Sequence, residues 1–114
     1  MHELSIAQGI IAIAVEEAAR AGARQVEKVK LRVGALAGVV PEALEFAFTV
    51  AAQGTIAEGA RLEVEYLPVI CYRPECALEF EAEDGFVYTC PRCGRPVGEI
   101  RQGRELEIEY LEVS

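Results

Sequence analysis

Histidine is nearly absent from this 114-residue chain: there is one, at position 2. With no second histidine and no nucleophile placed beside a base, the usual equipment of acid–base or nucleophilic catalysis is missing, and no enzyme is expected. Positive charge is also scarce. Eleven Lys and Arg stand against 19 Asp and Glu, for a net charge of −8. A phosphate backbone would be repelled by that field, so nucleic acid is not an expected partner. Long apolar runs are missing as well. The densest, Ile10 to Val15, falls far short of the roughly 20 residues that cross a bilayer, so no membrane association is expected. Glu3 precedes that run and no Lys or Arg comes before Arg20, which argues against a secretory signal. The expected location is the cytoplasm, where thiols stay reduced unless a metal holds them.

What is present suits a small folded domain. Hydrophobic residues make up 52% of the chain, too many for a disordered acidic tail. The acidic residues are interspersed with apolar ones and read as solvated faces. Residues 4–22 have helical periodicity, with Leu4, Ala7, Ile11, Ala14, Val15 and Ala18 on one face. Ser5 and Gln8 form a candidate capping box. Gly22 suits the C-terminal cap, and Gly9 inside the helix suggests a close backbone neighbour. Val29 to Val33 alternates as a strand with one buried face. Pro41 opens a second helix with stripe Leu44, Ala47, Phe48 and Ala51, ended by Gly54.

Leu62, Val64 and Tyr66 mark a second strand, stopped at Pro68. A third runs from Glu105 to Val113. Its alternation slips between Tyr110 and Leu111, for which a bulge is one explanation. The predicted fold is α+β: two helices packed on a small three-stranded antiparallel-type sheet, with a zinc-ribbon-like lobe inserted before the last strand. The expected division is an α+β domain of residues 1–69 and 97–114, and a lobe of residues 70–96.

All four cysteines fall in that lobe, with three of the five prolines. Cys71 and Cys76 form a C-x4-C pair, Cys90 and Cys93 a C-x2-C pair, thirteen residues apart. Two short cysteine loops facing each other present four thiolates at tetrahedral corners, which suits structural Zn(II). Pro91 stiffens the second loop, and Gly94 lets its backbone curl towards sulfur. Iron in a rubredoxin-like site and a pair of disulfides are the alternatives. Phe80, Phe86 and Tyr88 are expected to pack around the loops.

The first three residues, Met1-His2-Glu3, carry a different chemistry. The terminal amine, the amide nitrogen of His2 and its imidazole can chelate one metal through adjacent rings. The amide of Glu3 completes four nitrogen donors. Square-planar nitrogen suits Ni(II) or Cu(II) rather than zinc. Met1 is expected to be retained, because His2 is too bulky for the usual removal of an initiator methionine.

Met1-His2-Glu3-Leu4-Ser5, Val33-Gly34-Ala35-Leu36, the stretch from Pro41 to Phe48, Gly59-Ala60-Arg61-Leu62-Glu63-Val64 and the two cysteine pairs together resemble the HypA/HybF family of hydrogenase-maturation proteins. The similarity covers essentially the whole chain. It implies a nickel metallochaperone that passes Ni(II) to the large subunit of NiFe-hydrogenase with a GTPase of the HypB type, and in some relatives serves urease. It implies His2 as the principal nickel ligand, nitrogen donors from Met1 and Glu3, and structural zinc on Cys71, Cys76, Cys90 and Cys93. The chain departs from the pattern at the first cysteine pair, which in the family is usually C-x2-C. Ala35 and Val40 stand where relatives carry acidic residues, which leaves Glu42 or Glu45 to supply any carboxylate near the nickel. A zinc-ribbon adaptor with an inert N-terminus, and a redox protein with iron in the thiolate site, are the competing readings.

Overall fold

The computed structural model describes residues 2–82, 89–96 and 99–114. In chain order these form α1 (His2–Arg20), β1 (Val26–Gly34), a 3-10 turn (Ala35–Ala37), α2 (Pro41–Ala52), β2 (Arg61–Leu67), β3 (Ile70–Arg73), a second 3-10 turn (Pro74–Cys76), β4 (Leu78–Glu81), β5 (Glu99–Gln102) and β6 (Leu106–Val113). The strands make two three-stranded sheets, ordered β2–β1–β6 and β4–β3–β5. One compact unit comprises residues 1–32, 39–65 and 107–114; the other comprises 33–38 and 66–106. The α+β architecture is as expected, but the cysteine lobe carries a sheet of its own. Its strands are four residues each, too short for a period of two to stand out in the sequence.

In the helical unit, α1 buries Ala7, Ile10, Ile11, Ala14 and Ala18, and α2 buries Leu44, Ala47, Phe48 and Ala52. The buried face of α1 is turned slightly from the expected one: Ile10 joins it, while Leu4 and Val15 are half-buried. Helix α1 opens at His2, earlier than the sequence suggests. Ser5 therefore lies exposed inside the helix, and the expected capping box does not form its end. Gly9 has open space where a Cβ would stand, so among the described residues the expected backbone neighbour is absent. The C-terminal end does follow expectation. Ala23 N–H donates to Ala18 O (2.9 Å) and Gly22 N–H to Ala19 O (3.1 Å), with Gly22 left-handed at φ 70°, a Schellman closure.

Strand β1 buries Val26, Val29, Leu31 and Val33 and turns Lys28, Lys30 and Arg32 the other way. These cations meet the acidic residues of the flanking strands. Lys28 pairs with Glu63 and Glu112, Lys30 with Glu63, and Arg32 with Glu65, Glu107 and Glu109. Glu63 above all holds the Lys28 ammonium protonated far beyond the ordinary range, and the Tyr110 ring lies 5.3 Å from it. The acidic rows are thus a paired face and not merely a solvated one.

Gln25 N–H donates to Ser114 O and Ser114 N–H to Gln25 O, while Gly34 N–H donates to Glu105 O at the opposite end, so β1 and β6 run antiparallel. The two ends keep the same pairing offset. Inward positions nevertheless step by three in both strands, Val26 to Val29 and Ile108 to Leu111. The slip at Tyr110–Leu111 therefore has a counterpart in β1.

Gly34 closes β1 against another glycine. A Cβ there would stand 2.1 Å from both the carbonyl carbon and oxygen of Gly103, and Gly103 is itself at φ 130°, a region L side chains avoid. Gly34→Ala must push backbone apart, an overpacking cost of about 1–3 kcal/mol or more. We expect its thermal midpoint to fall by about 5–15 °C. An unchanged melting curve would show that the close approach does not exist in solution.

Among the described residues no helix is long and apolar enough to cross a membrane.

Candidate metal centres

The first candidate lies at the start of α1, within the helical unit. An α-helix leaves its first N–H groups without intrahelical acceptors, so the amides of His2 and Glu3 are not committed to the helix ladder. His2 is exposed, and its Nδ1 lies 3.8 Å from Glu3 Oε2. That same carboxylate oxygen accepts a hydrogen bond from Val40 N–H at 3.1 Å, and Val40 is the residue that caps α2. This bond above all holds the Glu3 carboxyl below its ordinary range; its own backbone N–H and the neighbouring His2 add to the effect. Glu3 thus ties the start of one helix to the start of the other and fixes where the His2 backbone stands.

The sequence suggests only an amide donor at Glu3, with carboxylate support from Glu42 or Glu45. Among the described residues the carboxylate paired with His2 belongs to Glu3; Glu42 and Glu45 are exposed on α2. The clue available in sequence was proximity alone, since a side chain one residue away on a helix start can turn back to its neighbour. Met1 lies outside the described residues. Beside the site, Leu4 on α1 and Ala43, Phe46, Ala47 and Val50 on α2 line a shallow apolar pocket rimmed by Glu3.

The second candidate is in the lobe. The Sγ atoms of Cys76, Cys90 and Cys93 all lie within 4.8 Å of one another. Tetrahedral zinc with bonds of about 2.3 Å needs sulfurs roughly 3.8 Å apart, so this triangle closes on a zinc-sized ion with little movement. The residues around it shape the thiols. Cys90 N–H donates to Arg95 O at 2.9 Å and Gly94 N–H to Cys90 O at 2.8 Å, curling the turn so that the Arg95 N–H points at Cys93. That bond, helped by Cys90, Cys76 and Arg73, lowers the Cys93 thiol to about 7. Burial first, then Cys93 and Cys90, pushes Cys76 up to about 11. One sulfur ionises readily and another holds its proton, as expected of clustered thiols that need a cation to ionise together.

The structure brings together three of the four cysteines expected as ligands. Cys71 stands outside this group. It is fully buried in β3, opposite Phe80 of β4 and Ile100 of β5, and burial raises its thiol. Phe80 is half-buried; Phe86 and Tyr88, also expected to pack here, lie outside the described residues.

Comparison with known proteins points one way. Residues 1–113 match the model of the family described as HypA, hydrogenase/urease nickel incorporation, metallochaperone. The chain is 50% identical over 112 residues to the hydrogenase maturation factor HypA of Chloroflexus aurantiacus, covering 98% of each chain. It is 44% identical over 113 residues to that of a Picosynechococcus species, covering 99% of each. Its fold is similar to the solution structure of the Ni metallochaperone HypA from Helicobacter pylori, with a TM-score of 0.68 at 23% identity over 99% of this chain and 97% of that one. A second solution structure, of a HypA protein, matches with a TM-score of 0.74 at 24% identity over 100% and 97%.

Proposed function

The chain belongs to the HypA family of hydrogenase and urease nickel-incorporation metallochaperones, and from that premise we propose that it binds Ni(II) at residues 1–3 and hands it to the large subunit of NiFe-hydrogenase. The donors are the terminal amine of Met1, the amide nitrogens of His2 and Glu3, and the His2 imidazole. The observation that carries this reading is the position of the only histidine. It opens α1, where amide nitrogens are free of the helix ladder, beside a Glu3 anchored to Val40. The His2 and Glu3 donors therefore start from a supported backbone. Four nitrogens in a plane suit Ni(II), while the thiolates of the lobe suit zinc.

Zinc in the lobe is structural, and the ion that moves is nickel, as cargo. Residues 1–69 and 97–114 carry the nickel function and residues 70–96 the zinc. The protein is a carrier and not an enzyme, works in the cytoplasm, and cooperates with a maturation GTPase of the HypB type. Release is chemically reasonable, because each nitrogen donor takes up a proton when the metal leaves.

The test is nickel titration of untagged protein and of a His2→Ala variant, with absorption spectra and zinc analysis. One tight nickel per chain is expected in the parent and none in the variant, with zinc content equal in both. Undiminished nickel affinity in His2→Ala would rule out the assignment and leave a zinc-bearing adaptor as the reading.

A further inference from the structure

Given a zinc-bearing lobe as read above, we propose that the zinc of this chain is held by three thiolates only, those of Cys76, Cys90 and Cys93, that Arg73 stands in the place of the fourth ligand, and that the remaining coordination position is open to water.

The lobe contains two turns of one pattern. Cys90-Pro91-Arg92-Cys93-Gly94 has its counterpart in Arg73-Pro74-Glu75-Cys76-Ala77. In both, a proline follows the first position, a cysteine occupies the fourth, and the fifth is left-handed: Gly94 at φ 74° and Ala77 at φ 47°. Ala77 is the one non-glycine with positive φ among the described residues, a strained setting that such a turn demands. The first position of the second turn is the ligand Cys90. The first position of the first turn is an arginine.

Cys71 is not an easy substitute. It lies two residues earlier on β3, roughly 7 Å back along the strand. There it is paired with Phe80 and Ile100 on the flanking strands and has no exposed surface. Its setting is that of an apolar core residue. Bringing its sulfur to the other three would mean unpicking the middle strand of the small sheet.

Arg73 is held where a ligand would be, and it cannot be one. A guanidinium stays protonated and has no lone pair to offer a metal. Its side chain is only 14% exposed, donates from Nη1 to Pro96 O at 3.2 Å and bonds to Cys93. Its Nε is buried, 3.2 Å from Glu75 Oε2 but not aligned with it, and has no hydrogen-bond partner. Its charge is met by the Glu75 carboxylate and by the Cys93 sulfur. Three protein ligands leave zinc an open position.

The test uses the full chain, with zinc analysis, cobalt-substituted absorption spectra and the rate of zinc removal by a chelator. The parent should hold one zinc per chain. Cys71→Ala should keep that zinc and the parent cobalt spectrum, whereas Cys76→Ser and Cys93→Ser should lose the metal. Arg73→Cys should complete a four-thiolate site: the cobalt–sulfur charge-transfer band should gain the intensity of one more sulfur, and zinc should leave at least about tenfold more slowly.

Zinc lost from Cys71→Ala but retained by the parent overturns the proposal and restores Cys71 as a ligand. Should Cys71→Ala not fold, Arg73→Cys decides by itself, because a spectrum already that of four sulfurs in the parent, unmoved by the substitution, has the same consequence. A parent without zinc overturns the zinc reading itself.

Discussion

One Gly-Ser extension ahead of Met1 should reduce nickel affinity by at least about a hundredfold, or about 3 kcal/mol, while the fold and the zinc are untouched. The extension moves the terminal amine out of the chelate and leaves an amide in its place. The two chelate rings that share the His2 amide nitrogen then become one. The fold should tolerate this because α1 begins at His2 and additional residues only precede its first turn, where N–H groups have no intrahelical partners to lose. Glu3 keeps its bond from Val40 N–H, so the junction of the helices stays closed. Binding to the authentic protein should weaken steadily as pH falls, since protons compete with nickel at every nitrogen. Isothermal titration of both proteins at several pH values measures this, with circular dichroism as the check on folding. Equal affinities would mean that the amine is not a donor, and that the imidazole binds with side chains elsewhere.

The other large effect is in the lobe. Cys90→Ser should remove zinc altogether and loosen residues 66–82, 89–96 and 99–106, while α1 and α2 persist. Cys90 is 1% exposed and sits at the root of its turn. Its loss takes away one of the three sulfurs that lie within 4.8 Å of one another. Metal binding at such sites is folding free energy, on the order of 10 kcal/mol in isolated zinc peptides, and the apolar groups fully buried within this unit are few. The helical unit has its own core in Ala7, Ile10, Ile11, Leu44 and Phe48, so it should not follow the lobe. Amide hydrogen exchange is the decisive measurement: protection should vanish across β3 to β5 and remain in the helices. Loss of protection in both units alike would show that zinc supports the whole chain.

Much of this is written in local sequence signals. Helix α2 opens at Pro41 and buries Leu44, Ala47 and Phe48, because a proline start and a 3.6-residue stripe are local signals. The inward row Val29, Leu31, Val33 followed from strict alternation. The start of α1 at His2 did not follow, because Ser5 looks like a cap wherever the chain is read locally; the bond that Glu3 accepts in this first turn comes from Val40, 37 residues away. The second sheet was equally hidden, since four-residue strands carry no usable period.

Composition and motif spacing determined, with no help from structure, that this is a small acidic α+β chain with a cysteine lobe and one histidine at its start. Those properties are local or additive: charge sums along a chain, hydrophobic periods mark helices and strands, and a metal-binding loop is written in consecutive residues. Only the tertiary structure decided which side chains meet. It gave the cations of β1 their glutamate partners, placed Glu3 against the His2 ring, gathered Cys76, Cys90 and Cys93 within 4.8 Å, and left Cys71 outside that group, fully buried in β3. The cysteines were equal by type and nearly equal by spacing. What separates them is where the fold sets them, since the sulfurs of three converge while Cys71 is fully buried in the middle strand of the small sheet, opposite Phe80 and Ile100.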